Sequence, residues 1–156
     1  MKWVEKYRGT IVEVICFLFI LLFVYAAVSK LLDFEKFRIQ LGQSPMLTDF
    51  ASLVAFGVPT LEILLAITLS INKFRTIALY AGLGLMTAFS AYIAVILNFS
   101  DFIPCSCGGI LERLGWTEHL IFNIVFILLA MIAIVLNDNV QMEKSKLRMN
   151  PNLKNF

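Results

Sequence analysis

The sequence predicts an all-α polytopic membrane protein: an antiparallel bundle of four transmembrane helices with both termini in the cytoplasm. The first sign is composition, since 60% of the 156 residues are apolar and 15% charged. With a mean hydropathy of +0.84, that is far from the balance of a water-soluble domain. The second is length. Four apolar runs, at about 11–28, 52–71, 77–97 and 119–136, each approach the roughly 20 helical residues that cross a hydrocarbon core about 30 Å thick. The third is charge. Nine of the 13 basic residues fall in the N-terminus, the turn between the second and third runs, and the C-terminal tail. Loops rich in Lys and Arg stay in the cytoplasm, so segments 29–50 and 98–118 are expected outside.

The first run follows Lys2, Lys6 and Arg8 and holds Glu13 near one end. A basic start before an apolar stretch also describes a secretory signal, and Tyr25-Ala26-Ala27 supplies small residues for cleavage. The stretch is longer than a usual signal core, so a retained span is expected. Cys16 lies about a turn and a half into it and reads as a small apolar packing residue. By helical rise, most of the membrane separates it from the other two cysteines.

Segment 29–50 mixes Leu31, Leu32, Phe34, Phe37, Ile39 and Leu41 with Lys30, Asp33, Glu35, Lys36 and Arg38. That pattern suits a short helix in the membrane interface, ended by Gly42 and turned back by Ser44-Pro45. The second run carries Pro59 and Glu62. A carboxyl inside a span is costly and marks a functional or paired site. Lys30, at the outer end of the first span, is the expected partner, with Tyr25 and Tyr92 as neutral alternatives. A structural ion pair, a protonated hydrogen-bonded acid, and a proton or quinone site are all compatible with this position.

The turn Asn72-Lys73-Phe74-Arg75-Thr76 is so short that it dictates an antiparallel helix pair. The third run, Ile77 to Leu97, contains no charge. Its Gly82, Gly84, Ala88, Ser90, Ala91 and Ala94 offer small faces for close helix packing. The fourth run is interrupted by Asn123, and Thr117 is placed to cap it. One transmembrane domain over 1–137 is expected, followed by a polar cytoplasmic tail, 138–156, without assigned chemistry. The net charge of +2 reflects the membrane asymmetry, and no basic, aromatic-interleaved patch points to nucleic acid.

Chemistry concentrates in the connection 98–118. Pro104 precedes Cys105-Ser106-Cys107-Gly108-Gly109, and a helical turn at Ile110–Leu114 closed by Gly115 is expected to follow. Two cysteines one residue apart close only a small ring, and strained or exposed disulfides are the more oxidising ones. Charge places them on the oxidising face of the membrane, where disulfides form and persist. A redox-active pair is therefore the leading reading, ahead of an inert loop disulfide and of metal binding. Two thiolates and one histidine fall short of a closed zinc site, which takes four ligands. His119, the sole histidine, either assists a thiolate or is an interfacial side chain. Asn123 shares its helical face four residues on.

The segments Ser29-Lys30-Leu31-Leu32-Asp33-Phe34-Glu35-Lys36-Phe37, Pro59-Thr60-Leu61-Glu62, Pro104-Cys105-Ser106-Cys107-Gly108-Gly109 and Gly115-Trp116-Thr117-Glu118-His119 resemble the MauE branch of the DoxX-like membrane proteins, over about residues 10–136. The resemblance implies a four-helix, redox-associated protein of the bacterial inner membrane. Its name-giving member is linked to methylamine utilisation and to the maturation of a disulfide-rich enzyme subunit outside the cytoplasm. The bundle is similar in outline to vitamin K epoxide reductase proteins, which couple disulfides to a quinone. It departs from them in carrying Cys-x-Cys before its last helix, with no Cys-x-x-Cys within it.

The expected function is thiol–disulfide exchange at Cys105 and Cys107, assisted by His119, with a thioredoxin-like or exported cysteine-containing protein as partner. The rival expectation is a non-catalytic scaffold or accessory subunit of a larger envelope or export complex, its Cys105–Cys107 disulfide purely structural. A third reading is a quinone or proton site near Glu62, Trp116 and Asn123.

Overall fold

A computed structural model describes residues 2–43, 47–99 and 115–149 of the chain. These form five helices: α1 (Lys2–Leu32), α2 (Phe34–Gly42), α3 (Ala51–Ser70), α4 (Arg75–Phe99) and α5 (Trp116–Met149), with a single 3-10 turn at Thr48–Phe50 before α3. Four stretches are long and apolar enough to cross a membrane: Tyr7–Leu32, Thr48–Ser70, Arg75–Asn98 and Trp116–Asn139. All four expected spans are present, with ends that differ from those of the apolar runs by one to four residues. The chain is thus a polytopic helical membrane protein. Cys105, Cys107, the turn expected at Ile110–Leu114 and the Ser44-Pro45 turn lie outside the described residues.

Backbone and side-chain hydrogen bonding follows the demands of an apolar solvent, in which each polar group must find a partner within the protein. Hydroxyls on the spans bond the carbonyl four residues back, as in Thr68 to Leu64 at 2.6 Å and Ser90 to Met86 at 2.8 Å. The hairpin between α3 and α4 is closed by Phe74 N–H donating to the Ile71 carbonyl at 3.0 Å. The cap expected at Thr117 falls at Gly115 instead. The amide of His119 bonds the Gly115 carbonyl at 3.0 Å, so the first turn closes there and Thr117 is already inside the helix. At its other end α5 continues to Met149, so the polar tail expected from 138 begins as helix.

Around the bundle the order is α1, α3, α4, α5, with α1 packed between α3 and α5, and α4 between α3 and α5. The core joins Cys16, Phe19 and Phe23 of α1 to Leu69 of α3, Leu79 of α4 and Ala133 of α5. Phe19 meets Phe126 edge-on at 5.2 Å between centroids, a favoured aromatic geometry. Of the small residues on α4, Gly82 serves close packing. A Cβ there would stand 3.5 Å from Cε2 of Phe23, whereas one at Gly84 would meet nothing within 4 Å. Large apolar side chains such as Leu53, Phe56, Ile77 and Val135 point outward, as a lipid-embedded surface requires.

The place of α2 decides where α1 ends. α3 runs antiparallel to α1: its Leu65, Ala66 and Leu69 share the core with Val12 to Phe23, while its Ala51 and Ala55 pack on Phe37 and Leu41 of α2. α1 therefore stops part-way along α3, and α2 covers the remainder. The short helix expected in this segment is present and ends at Gly42 as expected. Its Phe37, Gln40 and Leu41 are buried in the fold, so it is a structural part of the bundle.

Candidate functional site

Glu62 lies on α3 three residues after Pro59, and it is 1% exposed. An isolated carboxylate at such depth would be expelled or neutralised. The structure supplies the expected cation: Lys30 Nζ lies 2.8 Å from Glu62 Oε1, with side-chain exposures of 11% and 1%. The ammonium also donates to the Ala26 carbonyl at 3.3 Å. It stands 5.9 Å from the Phe37 ring centroid and 6.0 Å from that of Phe89. Both distances are at the outer limit of cation–π attraction. Lys30 is thus held by α1, α2, α3 and α4 together.

Helical rise fixes the depth of this pair. Beyond Glu62, α3 continues for eleven residues to Ala51, and beyond Phe89, α4 continues for ten to Phe99. At 1.5 Å per residue, about 15 Å of helix extends past the pair toward the end of the bundle that carries the long connections. Lys30 lies in the last turn of α1, near the outer end of the first span as expected, but α1 itself ends inside the bundle.

Beside the ion pair lies a cavity of about 250 Å³. Residues Trp116, His119 and Asn123 reach it from one face of α5, at spacings of three and four. Lys30 and Tyr25 reach it from α1, Glu62 from α3 and Tyr92 from α4. The rest of the wall is apolar, with the rings of Phe23, Phe37, Phe89 and Phe122 prominent. Two residues of this wall each carry a buried, unsatisfied polar atom. Among the described residues neither Glu62 Oε2 nor Asn123 Nδ2 has a hydrogen-bond partner, although the two residues are 1% and 2% exposed. Buried polar groups are nearly always bonded, so such orphans require an explanation.

Glu62, Trp116, His119 and Asn123, far apart or separately motivated in the sequence, are therefore brought to one cavity. Cys16 is held in the core at 2% exposure, in keeping with a packing role. Among the described residues, no three His, Cys, Asp or Glu side chains are grouped to hold a metal ion. Phe37 and Phe89 are not legible as site residues from the sequence. Phe37 is one apolar position on an amphipathic helix, and Phe89 one of many on an uncharged span.

The sequence profile of the family "Methylamine utilisation protein MauE" matches residues 8–136. The methylamine utilization protein MauE of Paracoccus denitrificans is 33% identical over 100 residues, covering 62% of this chain and 54% of that protein. The match thus spans about half the length of that relative. No solved structure matches the chain. A profile match from near the start of α1 to within α5, over the whole four-span bundle and the connection bearing Cys105 and Cys107, shows that this chain belongs to the MauE family.

Proposed function

We propose that the protein is a membrane-embedded thiol–disulfide redox protein, in which Cys105 and Cys107 exchange disulfides with a thioredoxin-like or exported cysteine-containing partner. The supporting observation is one of elimination. The sequence has three cysteines, and Cys16 is locked in the core. The Cys-Ser-Cys-Gly-Gly pair in the connection between α4 and α5 is what is left for exchange. The distribution of basic residues supports placing this connection on the periplasmic side of a bacterial inner membrane, with both termini in the cytoplasm.

In the oxidising direction, a partner thiolate attacks one sulfur of the Cys105–Cys107 disulfide. A mixed disulfide forms and the other cysteine leaves as thiolate. The partner's second thiolate then attacks the mixed disulfide, so the partner becomes a disulfide and the pair a dithiol, with two electrons and two protons transferred. Running the steps backward reduces the partner. Methylamine utilisation is the role carried in the name of the Paracoccus relative, and the redox reading of this chain does not depend on it.

The test is to express Cys105→Ser and Cys107→Ser variants singly and look for a trapped mixed disulfide. In parallel, a membrane-impermeant thiol reagent is applied to intact cells with and without reductant. A captured partner and reductant-dependent labelling from outside are expected. If neither variant captures a partner and a double variant retains full function, the pair is a structural fastening and the protein a scaffold.

A further inference from the structure

We infer that α2 is a hinged flap on the side of the cavity, with two resting places: packed on the first turns of α3, as in this structure, or turned outward about Asp33 into the membrane interface. Turned outward, it uncovers the cavity beside Lys30. The joint is a single residue. Asp33 alone separates α1 from α2, and its side chain makes no capping bond to the helix that it begins. A short polar side chain at this position ordinarily fixes where a helix starts, and that constraint is missing here. The Asp33 amide reaches back to the Ser29 carbonyl at 3.4 Å, against about 2.9–3.0 Å for an ordinary backbone bond.

The packing of α2 is separate from that of the bundle. Its Phe37 and Leu41 join Ala51 and Ala55 of α3 in a small cluster of their own, while the four spans share another. Apolar contact gives little driving force where lipid is the alternative, so a cluster of this size holds α2 less firmly than it would in water. Phe37 and Leu41 also line the cavity. Because α1 stops part-way along α3, α2 supplies the cavity wall beyond the end of α1.

The second resting place follows from the outer face of α2. Asp33, Glu35, Lys36 and Arg38 are exposed, with Glu35 and Arg38 in an ion pair 3.0 Å long within the helix. The buried face carries Phe37 and Leu41 and also Gln40. A short helix with one charged and one largely apolar face is stable lying in the membrane interface, where Gln40 comes within reach of headgroups. Turning outward breaks no hydrogen bond inside α2, and it leaves Lys30 and Glu62 together, because both belong to spans. At its far end α2 is tied to the turn at Thr48–Phe50 by five residues, 43–47, which reach about 17 Å when extended. The tether therefore permits the motion.

Spin-label distances test this. In a Cys16→Ala/Cys105→Ser/Cys107→Ser background, one label is placed at Ile39→Cys on α2 and the other at Ile77→Cys on α4 or Ile121→Cys on α5. These side chains are 57%, 66% and 58% exposed. The full-length protein is measured in lipid nanodiscs by double electron–electron resonance. Two distance populations are expected from Ile39 to each span, and one for an Ile77→Cys/Ile121→Cys pair between the spans. Phe37→Ala removes the ring that α2 buries, and should raise the ratio of the outward to the packed population at least about tenfold. Leu41→Ala should act in the same direction, and it serves if Phe37→Ala does not fold. A single narrow population from Ile39 that these variants leave unchanged would overturn the inference, because α2 is then a fixed wall. So would a broad distribution without a second peak, which means that α2 unfolds instead of turning. The cysteines of the proposed exchange are absent from the protein measured, so the outcome is independent of that reading.

Discussion

Lys30 and Glu62 form an ion pair 2.8 Å long that joins the last turn of α1 to the middle of α3, about 15 Å of helix short of the end where the long connections emerge. The pair is enclosed by protein, and each partner is the remedy for the other's burial. Removing one therefore costs more than removing both. Lys30→Met and Glu62→Leu are each expected to destabilise the bundle by about 3 kcal/mol, because each strands a buried charge. The Lys30→Met/Glu62→Leu double variant should recover most of that loss. Thermal unfolding of the four proteins in detergent measures the coupling, and additive losses would refute it.

A second polar contact ties the opposite end of the bundle. Asn137 is 4% exposed, and its amide donates to the Thr76 hydroxyl at 2.7 Å, linking α5 to the first turn of α4. Interhelical bonds of this type in membranes average about 0.6 kcal/mol and reach about 1.7. Thr76→Val should cost an amount in that range. Asn137→Leu should cost a similar amount, with no further loss when the two are combined.

Gly82 and Gly84 are two residues apart and differ in consequence. Gly82 sits under the Phe23 ring, with an added Cβ 3.5 Å from Cε2, while Gly84 has open space. Gly82→Ala is ordinary contact and should be tolerated. Gly82→Leu must displace Phe23, itself 1% exposed, and overpacking of this sort costs about 1–3 kcal/mol. Gly84→Leu should leave the unfolding temperature of the purified protein nearly unchanged.

The buried thiol makes a prediction independent of the dithiol. Cys16 is 2% exposed among Val12, Phe19 and Leu69, so a water-soluble maleimide should leave it unmodified in a Cys105→Ser/Cys107→Ser protein until the bundle unfolds. Rapid labelling of the native double variant would show that the core around α1 is open.

Much of this architecture is legible in the sequence because membrane spans are written in one dimension. About 20 apolar residues in a row, an uncharged third run and a five-residue turn leave little choice of topology. The Gly42 stop of α2 and the Lys30–Glu62 pairing are legible for a related reason, since a glycine after an amphipathic stretch and a lone acid in a span each call for one physical answer. Helix ends are less so. Thr117 has the chemistry of a cap, yet Gly115 takes the position, because helix termini are set to within only a residue or two by local chemistry.

What the sequence by itself determined is the solvent of this protein, its number of spans, its likeness to the MauE family, and the presence of two cysteines, Cys105 and Cys107, between its last two spans. Tertiary structure alone decided that α1 stops inside the bundle and α2 packs on the first turns of α3. It also decided that Glu62, Asn123, His119 and Trp116 share one cavity, and that Glu62 Oε2 and Asn123 Nδ2 are buried without partners among the described residues. The reason is one of register. Apolar periodicity reports which residues avoid water, but in lipid most faces of a helix are apolar. The depth at which one helix pairs with another is then set by the few polar contacts between distant residues, here Lys30 with Glu62 and Asn137 with Thr76.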